Sequence, residues 1–196
     1  MRELHTLRLV LEPVTLKNAK TMWRLMQASD LRAYQDIPRY SVAEFERRVI
    51  ARPERFDGNG LGRFEWMIVP RGAAEPAGWI SLRVGESSKG TAEIAYTLLL
   101  EHRGKRYTAE AIRAVVGYGF AVSPLRRIEA CCVPANVPSR RALESAGFRM
   151  VRLQRNGAVV SSRTVDIVLF EMRRRDWMAA QASSANAIDI PESANR

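Results

Sequence analysis

The sequence predicts an α/β chain, equally an α+β one, built round a central mixed β-sheet. Three observations carry the prediction. Short strand-like runs lie both before and after two helix-periodic runs, so strands and helices are interleaved along the chain. Phe64–Val69 and Gly78–Val84 are joined by a turn rich in Pro, Gly and Ala and read as a hairpin. The stretch Ala92–Ala111, AEIAYTLLLEHRGKRYTAEA, reads as a buried strand, a tight basic turn and an amphipathic helix, which is a crossover unit.

In chain order, Leu7–Leu11 alternates Leu7, Leu9 and Leu11 and stops at Pro13, as a first strand does. Thr15 then opens a helical pattern through Leu16, Ala19, Met22/Trp23 and Met26. A second helix is predicted from Ser41 to about Ala51, with Val42, Phe45 and Val49 on one face, and Arg52–Gly62 reads as a loop. Trp66 and Trp79 fall at hairpin positions that suit sheet-face or core aromatics. A turn over Gly85–Gly90 leads into the central strand, where Ile94, Tyr96 and Leu98 alternate with Ala95, Thr97 and Leu99. The following helix carries an apolar stripe of Ala109, Ile112, Val115/Val116 and Gly119/Phe120, with Glu110 near its N-terminus, and Pro124 ends it. Arg127–Val133 is the next strand, and a short helix then runs to Ala146 and stops at Gly147. Met150–Leu153 and Val165–Met172 are expected to close the sheet, separated by a loop at Asn156-Gly157. From Ala182 the chain is small and polar, so one domain over residues 1–181 and a disordered tail over 182–196 are expected.

Composition narrows the class. With 46% hydrophobic and 27% charged residues the chain is globular, and no apolar run approaches the ~20 residues of a membrane helix. MRELHTLRLVLEP has no signal-peptide pattern. The two cysteines, Cys131 and Cys132, are adjacent and point to opposite faces of a strand, so they make no disulfide framework, and with two isolated histidines there is no metal pattern. A cytoplasmic protein without a metal is expected, with the cysteines as small packing residues. The net charge of +10 favours anionic partners. Its spread along the chain makes direct nucleic-acid binding a weak expectation, although a ribosome-associated partner is compatible with it.

A strand-turn-helix of this kind converges unpaired N–H groups and a positive dipole end on one point, which suits a phosphate. The segment resembles the acyl-CoA-binding motif of the GNAT superfamily of N-acetyltransferases, and within it the ribosomal-protein N-terminal acetyltransferase (RimJ/RimL-like) branch, in which AEIGYxLxPxxRGKGYxTEA is a common form. Glu93, Ile94, Tyr96, Leu98, Arg103, Gly104, Lys105, Tyr107, Glu110 and Ala111 match it. Glu101 stands where Gln or Arg is usual, Arg106 where Gly or Ala is usual, and Leu100 where Pro is usual. Downstream, Asn136 to Phe148 resembles the second signature, N-x-x-S-x-x-x-L-x-x-x-G-F. The resemblance implies a GNAT fold: about seven strands splayed after the fourth, about four helices, and acetyl-CoA wedged in the gap.

It also implies roles. The backbone of Arg103, Gly104, Lys105, Arg106, Tyr107 and Thr108 would grip the diphosphate, with Arg103 and Lys105 adding charge. Position 106 accepts Ala in relatives and so need not demand positive φ, and an Arg there can swing outward and pair with phosphate. The strand residues Thr97, Leu98 and Leu99 would offer backbone groups to the pantetheine and the acetyl carbonyl. Asn136 would contact the pantetheine arm and Ser139 would lie near the thioester sulfur, while both residue types also suit helix capping. Many relatives carry a tyrosine acid four residues after that serine. Here the residue is Leu143, so the thiolate is protonated by Ser139, by water, or not at all before release, with Ser139 as the candidate acid. Glu93 is the candidate base, acting through a water, and equally reads as an exposed sheet-face glutamate.

The acceptor follows from acidity. An α-amine of pKa near 7.8 costs about 3.5 kcal/mol less to deprotonate than a lysine-like amine. A site with a weak base and no tyrosine acid therefore fits an α-amine better than an ε-amine, and the resemblance implies that this is a protein N-terminal α-amine, of ribosomal-protein type. Two alternatives stand beside it: a small-molecule amine such as an amino-acid derivative, polyamine or antibiotic, and a degenerate, non-catalytic CoA-binding module in which Glu101 and Arg106 spoil the turn. Acceptor specificity is expected in the Asp30–Gly62 region, and both monomer and homodimer remain open.

Overall fold

The computed structural model describes residues 1–28, 34–53, 56, 62–85 and 90–186. Among them the strands are β1 (Leu4–His5), β2 (Leu9–Pro13), β3 (Gly62–Pro70), β4 (Gly78–Val84), β5 (Thr91–Leu98), β6 (Arg127–Cys132), β7 (Arg149–Val160) and β8 (Arg163–Arg173). The helices are α1 (Ala19–Met26), α2 (Val42–Ile50), α3 (Tyr107–Val122), α4 (Val137–Ser145) and α5 (Arg174–Asn186). The strands form a single sheet in the order β1-β2-β3-β4-β5-β6-β8-β7. Every neighbouring pair is antiparallel except β5 and β6, which run parallel because α3 returns the chain between them.

Alternation along the strands assigns each face its cover. Leu9, Leu11, Phe64, Trp66, Ile68, Ile80, Leu82 and Ile94 point to one side, where Ile112, Val115, Val116 and Phe120 of α3 and Leu143 of α4 complete the larger core. Met67 and Trp79 point to the other side and meet α1 and α2 through Met22, Leu25, Phe45 and Val49. Each such side chain contributes about 1.5–3 kcal/mol on burial. Trp66 is fully buried and its indole N–H is satisfied by the Arg2 carbonyl at 3.0 Å, so the ring adds apolar contact without a desolvation loss. Helix α2 begins with a full capping box, in which Ser41 and Glu44 exchange side-chain and backbone hydrogen bonds.

The expected elements are present with four differences. A two-residue β1 raises the strand number from about seven to eight, and α5 raises the helices from about four to five. Helix α1 starts at Ala19 instead of Thr15, because Asn18 Oδ1 accepts the Thr15 N–H at 2.8 Å and holds the intervening residues in a turn. Asn156-Gly157 is an irregularity within β7 and not the loop between two strands: Asn156 is left-handed (φ 51) with its N–H on Asp166, and a Cβ on Gly157 would lie 2.4 Å from Ile167 Cγ1. The reversal comes at Ser161-Ser162, both with positive φ (50 and 61), as a two-residue hairpin turn of type I′ requires. Helix α5 continues to Asn186, through the first residues of the predicted tail, and residues 187–196 lie outside the described residues, as do parts of the predicted Arg52–Gly62 and Gly85–Gly90 loops.

β4 and β5 approach so closely at Gly78 that a Cβ there would sit 2.1 Å from the Thr97 carbonyl oxygen and 2.9 Å from Leu98 Cα. Those are backbone atoms and cannot swing aside. Gly78→Ala is therefore expected to destabilise the fold by about 3 kcal/mol, read from the urea midpoint.

Candidate functional site

β5 and β6 pair at only Thr91/Arg127, Ala92/Ile128 and Glu93/Glu129. Beyond Glu93 they part, and Ile94–Leu98 faces an open wedge on that edge. Backbone groups in a strand alternate between its two edges. Leu99 donates its N–H to Ala77 O at 2.9 Å, on the β4 side, so Thr97 and Leu99 spend their backbone groups there while Tyr96 and Leu98 turn theirs to the wedge. The Leu98 carbonyl is taken by Arg103 Nε at 3.1 Å, which leaves the Leu98 N–H as the wedge-facing donor of the three predicted residues. The Thr97 side chain faces the α1–α2 side and accepts a short hydrogen bond from Gln35 Nε2.

The basic turn closes the wedge at the start of α3. A 3-10 turn, Leu100–His102, ends β5, Gly104 follows with φ 77, and Arg106 occupies the N-cap with φ 61, ψ 15 and no side-chain cap. The expectation that position 106 need not demand positive φ is thus overturned. The chain makes this turn with a left-handed residue, and a side chain there costs about 1–2 kcal/mol. What the conformation achieves is to point the first-turn N–H groups of α3, from Tyr107 and Thr108 onward, out along the helix axis with no intrahelical acceptor. Arg103, Lys105 and Arg106 are exposed round them, and Tyr107 and Thr108 are half-buried.

Glu110, which would offset this positive end, is neutralised by the N-terminal segment. Thr6 Oγ1 donates to it at 2.6 Å, the Arg8 backbone at 2.9 Å and Arg8 Nε at 2.8 Å, while Arg8 Nη1 also reaches the Lys105 carbonyl at 3.0 Å. The Arg8 guanidinium lies 5.1 Å over the Tyr107 ring. Burial raises the Glu110 pKa, but the hydrogen bonds from Thr6 and Arg8 and the charge of Arg8 together outweigh it and hold the carboxyl below its usual range.

The opposite wall is β6 and the N-terminus of α4. Asn136 caps α4, its Oδ1 accepting the Ser139 N–H at 3.2 Å, with Pro138 in the first turn. Ser139 Oγ lies 2.8 Å from the Tyr96 hydroxyl, which also reaches the Ser139 carbonyl at 3.2 Å. Burial pushes the Tyr96 phenol well up, against a lowering by Ser139. Burial likewise raises the Cys132 thiol, against a lowering by the Ser139 side chain. Arg140, next along α4, has a buried Nε with no hydrogen-bond partner among the described residues, so the wall can satisfy a further acceptor. Leu143 is fully buried in the core.

Glu93 stands apart from this group. It lies where β5 and β6 are still paired, on the α1–α2 face, ion-paired with Arg83 and 39% exposed. It borders a cleft of about 170 Å³ with Arg63, Ser81, Arg83 and Ala95. A larger groove of about 520 Å³ lies behind α3, lined by Arg2, Arg113, Tyr118 and Trp177, and contains none of these groups. Among the described residues no cluster of His, Cys, Asp and Glu could hold a metal, and no helix is long and apolar enough to cross a membrane.

The structure therefore brings together Leu98, the Arg103–Thr108 turn, Asn136 and Ser139 round one wedge, and sets Glu93 on the other face of its closed end. Tyr96, Cys132 and Arg140 were missed as members of it. Tyr96 read as an apolar strand residue and the cysteine as packing; only the shared parity of Tyr96 and Leu98 on the gap edge pointed to them.

The family profile of the acetyltransferase (GNAT) domain matches residues 8–149. The chain is 27% identical over 177 residues to the uncharacterized N-acetyltransferase p20 of Bacillus licheniformis, covering 90% of this chain and 99% of that one. It superposes on the ribosomal-protein-S5-alanine acetyltransferase of Vibrio fischeri with a TM-score of 0.78 at 16% identity, covering 90% and 99% of the two chains. It superposes on RimL, the ribosomal L7/L12 α-N-protein acetyltransferase in complex with coenzyme A joined by a disulfide to one of its cysteines, with a TM-score of 0.76 at 16% identity, covering 88% and 98%.

Two outcomes follow from the turn. Arg106→Gly relieves the left-handed strain and is expected to raise stability by about 1 kcal/mol in urea titration. Glu110, whose folded pKa is lowered, contributes stability that is present above its unfolded value and lost as pH falls through the folded one. Glu110→Gln is expected to flatten part of the acid limb of the stability profile measured between about pH 3 and 6.

Proposed function

This chain belongs to the GNAT acetyltransferase family, and from that membership we propose that it transfers the acetyl group of acetyl-CoA to the α-amine of a protein N-terminus, of the ribosomal-protein type. The observation that carries the reading is the wedge itself. The Leu98 N–H and the first-turn donors of α3 line one side, and Asn136 and Ser139 line the other. In it the turn Arg103–Thr108 binds the diphosphate through backbone N–H groups, with Arg103, Lys105 and the outward Arg106 supplying charge. Hydrogen bonds to charged groups contribute about 1.5–3 kcal/mol each, so three or four outweigh the strain at Arg106. Thr97 and Leu99 act through β4, keeping β5 straight while Leu98 presents its N–H to the pantetheine. Arg140 and Asn136 serve polar atoms of the same arm.

The acceptor approaches from the α1–α2 face, where Ala95 is exposed between Glu93 and Thr97. Glu93, ion-paired with Arg83, takes the amine proton through a water. Leu143 replaces the tyrosine that would favour harder amines, and an α-amine is the easier one to deprotonate. Two structural neighbours are described as ribosomal-protein acetyltransferases, which supports the same acceptor class. One feature favours the smaller-amine reading instead: Gln35 bonds Thr97, and Asp36 accepts the Ser161 N–H at 2.9 Å, so Gln35 and Asp36 are held over the acceptor face from both sides.

A panel of N-terminal peptides, lysine-side-chain peptides and small amines assayed for thiol release separates these. The expected order puts peptide α-amines at least about tenfold ahead in kcat/KM, given the deprotonation difference. Small amines ahead of every peptide would shift the function to the second reading. Calorimetry with acetyl-CoA is expected to give binding, and unchanged turnover of Glu93→Gln across pH would remove Glu93 as base.

A further inference from the structure

We propose that Tyr96 is a positioning residue for Ser139, holding the serine hydroxyl so that its hydrogen points at the sulfur that leaves during acyl transfer. The inference rests on the acetyl-CoA reading of the wedge and goes beyond it in assigning the residue that prepares the leaving-group side.

Tyr96 lies on the same strand face as Ile94 and Leu98, packed against the larger core, where a phenylalanine would fill the space without a polar atom to satisfy. Its hydroxyl instead crosses the wedge from β5 to α4 and meets one residue twice, Ser139 Oγ at 2.8 Å and Ser139 O at 3.2 Å. A phenol carries one hydrogen, and in the proposed arrangement Tyr96 gives it to Ser139 Oγ, the shorter of its two contacts, which leaves the serine its own hydrogen to give. A serine in the first turn of a helix ordinarily has several local acceptors for that hydrogen. Here the Asn136 cap occupies its backbone N–H, and with Tyr96 on its oxygen the hydroxyl keeps its hydrogen for a group that enters the wedge.

The chemistry needs a donor and no extra acid. When the tetrahedral intermediate collapses, the C–S bond breaks and its electron pair goes to sulfur. The proton shed by the acceptor nitrogen ends on that sulfur, so amine and thioester become amide and thiol in balance. Ser139 and Tyr96 keep their protons throughout and supply a two-link hydrogen-bond chain to the growing negative charge. With Leu143 buried four residues on, α4 itself offers no hydroxyl at the usual position.

Tyr96→Phe keeps the ring and removes the link. It is expected to lower kcat for thiol release about tenfold while KM for acetyl-CoA stays within about twofold. Ser139→Ala should fall by a similar factor, and the double variant should be no slower than Ser139→Ala alone, because the tyrosine works through the serine. A second readout needs no turnover. Donors that favour a thiolate lower the thiol pKa of bound coenzyme A, so wild-type affinity should rise in calorimetry from about pH 7 to about 9.5, and Tyr96→Phe should show a smaller rise. Losses that multiply in the double variant, or an identical pH dependence of affinity, overturn the proposal and leave the acetyl-CoA reading standing. A wild-type protein that takes up no coenzyme A overturns both.

Discussion

Everything in this molecule that concerns chemistry depends on two parallel strands failing to stay together. β5 and β6 share hydrogen bonds at three register positions and then separate, leaving Tyr96 and Leu98 with backbone groups that the sheet does not use. A strand edge inside a sheet is ordinarily a liability, because unpaired amides seek a partner. Here the divergence is held in place from both sides. Gly78 lets β4 lie close against β5, which stays paired with β4 as far as Leu98, while the β6–β8 pairing continues from Arg127 to Cys132 and keeps β6 with the other half of the sheet.

The two ends of the wedge are then finished by different physical means. At the α3 end the work is electrostatic: a left-handed Arg106 releases helix-start donors, and Arg8 and Thr6 occupy the Glu110 carboxylate, which would otherwise oppose an anion. At the α4 end it is hydrogen-bond geometry, with Asn136 fixing the backbone of Ser139 and Tyr96 meeting its hydroxyl. Neither end holds a metal cluster among the described residues, and each is built by residues distant in sequence.

Much of this was legible in the sequence because it is local. The alternation of Ile94, Tyr96 and Leu98, the basic Gly-containing turn and the periodicity of the next helix are short-range signals, and the strand, the turn and the N-x-x-S helix stand in the fold where they were expected. Other features were not legible, for particular reasons. The left-handed state of Arg106 contradicts the preference of its residue type. Asn156-Gly157 carries the strongest turn signal in its region and yet lies within a strand, because Ile167 and Asp166 of the facing strand accommodate it, while an unremarkable Ser-Ser pair makes the turn. The Tyr96–Ser139 contact joins two motifs that each looked complete on its own. The ion pair that occupies Glu93 depends on Arg83 standing opposite it, which is a fact of register.

The contacts that complete the cleft join residues far apart along the chain: 104 positions for Thr6 and Glu110, 125 for Asp36 and Ser161, and 43 for Tyr96 and Ser139. Closing loops of such length is slow relative to forming a helix or hairpin. In a chain made from its N-terminus onward, the partners of Thr6 and of Tyr96 emerge before the β7–β8 turn does, so the contact of Asp36 with Ser161 is the last of the three that synthesis makes available.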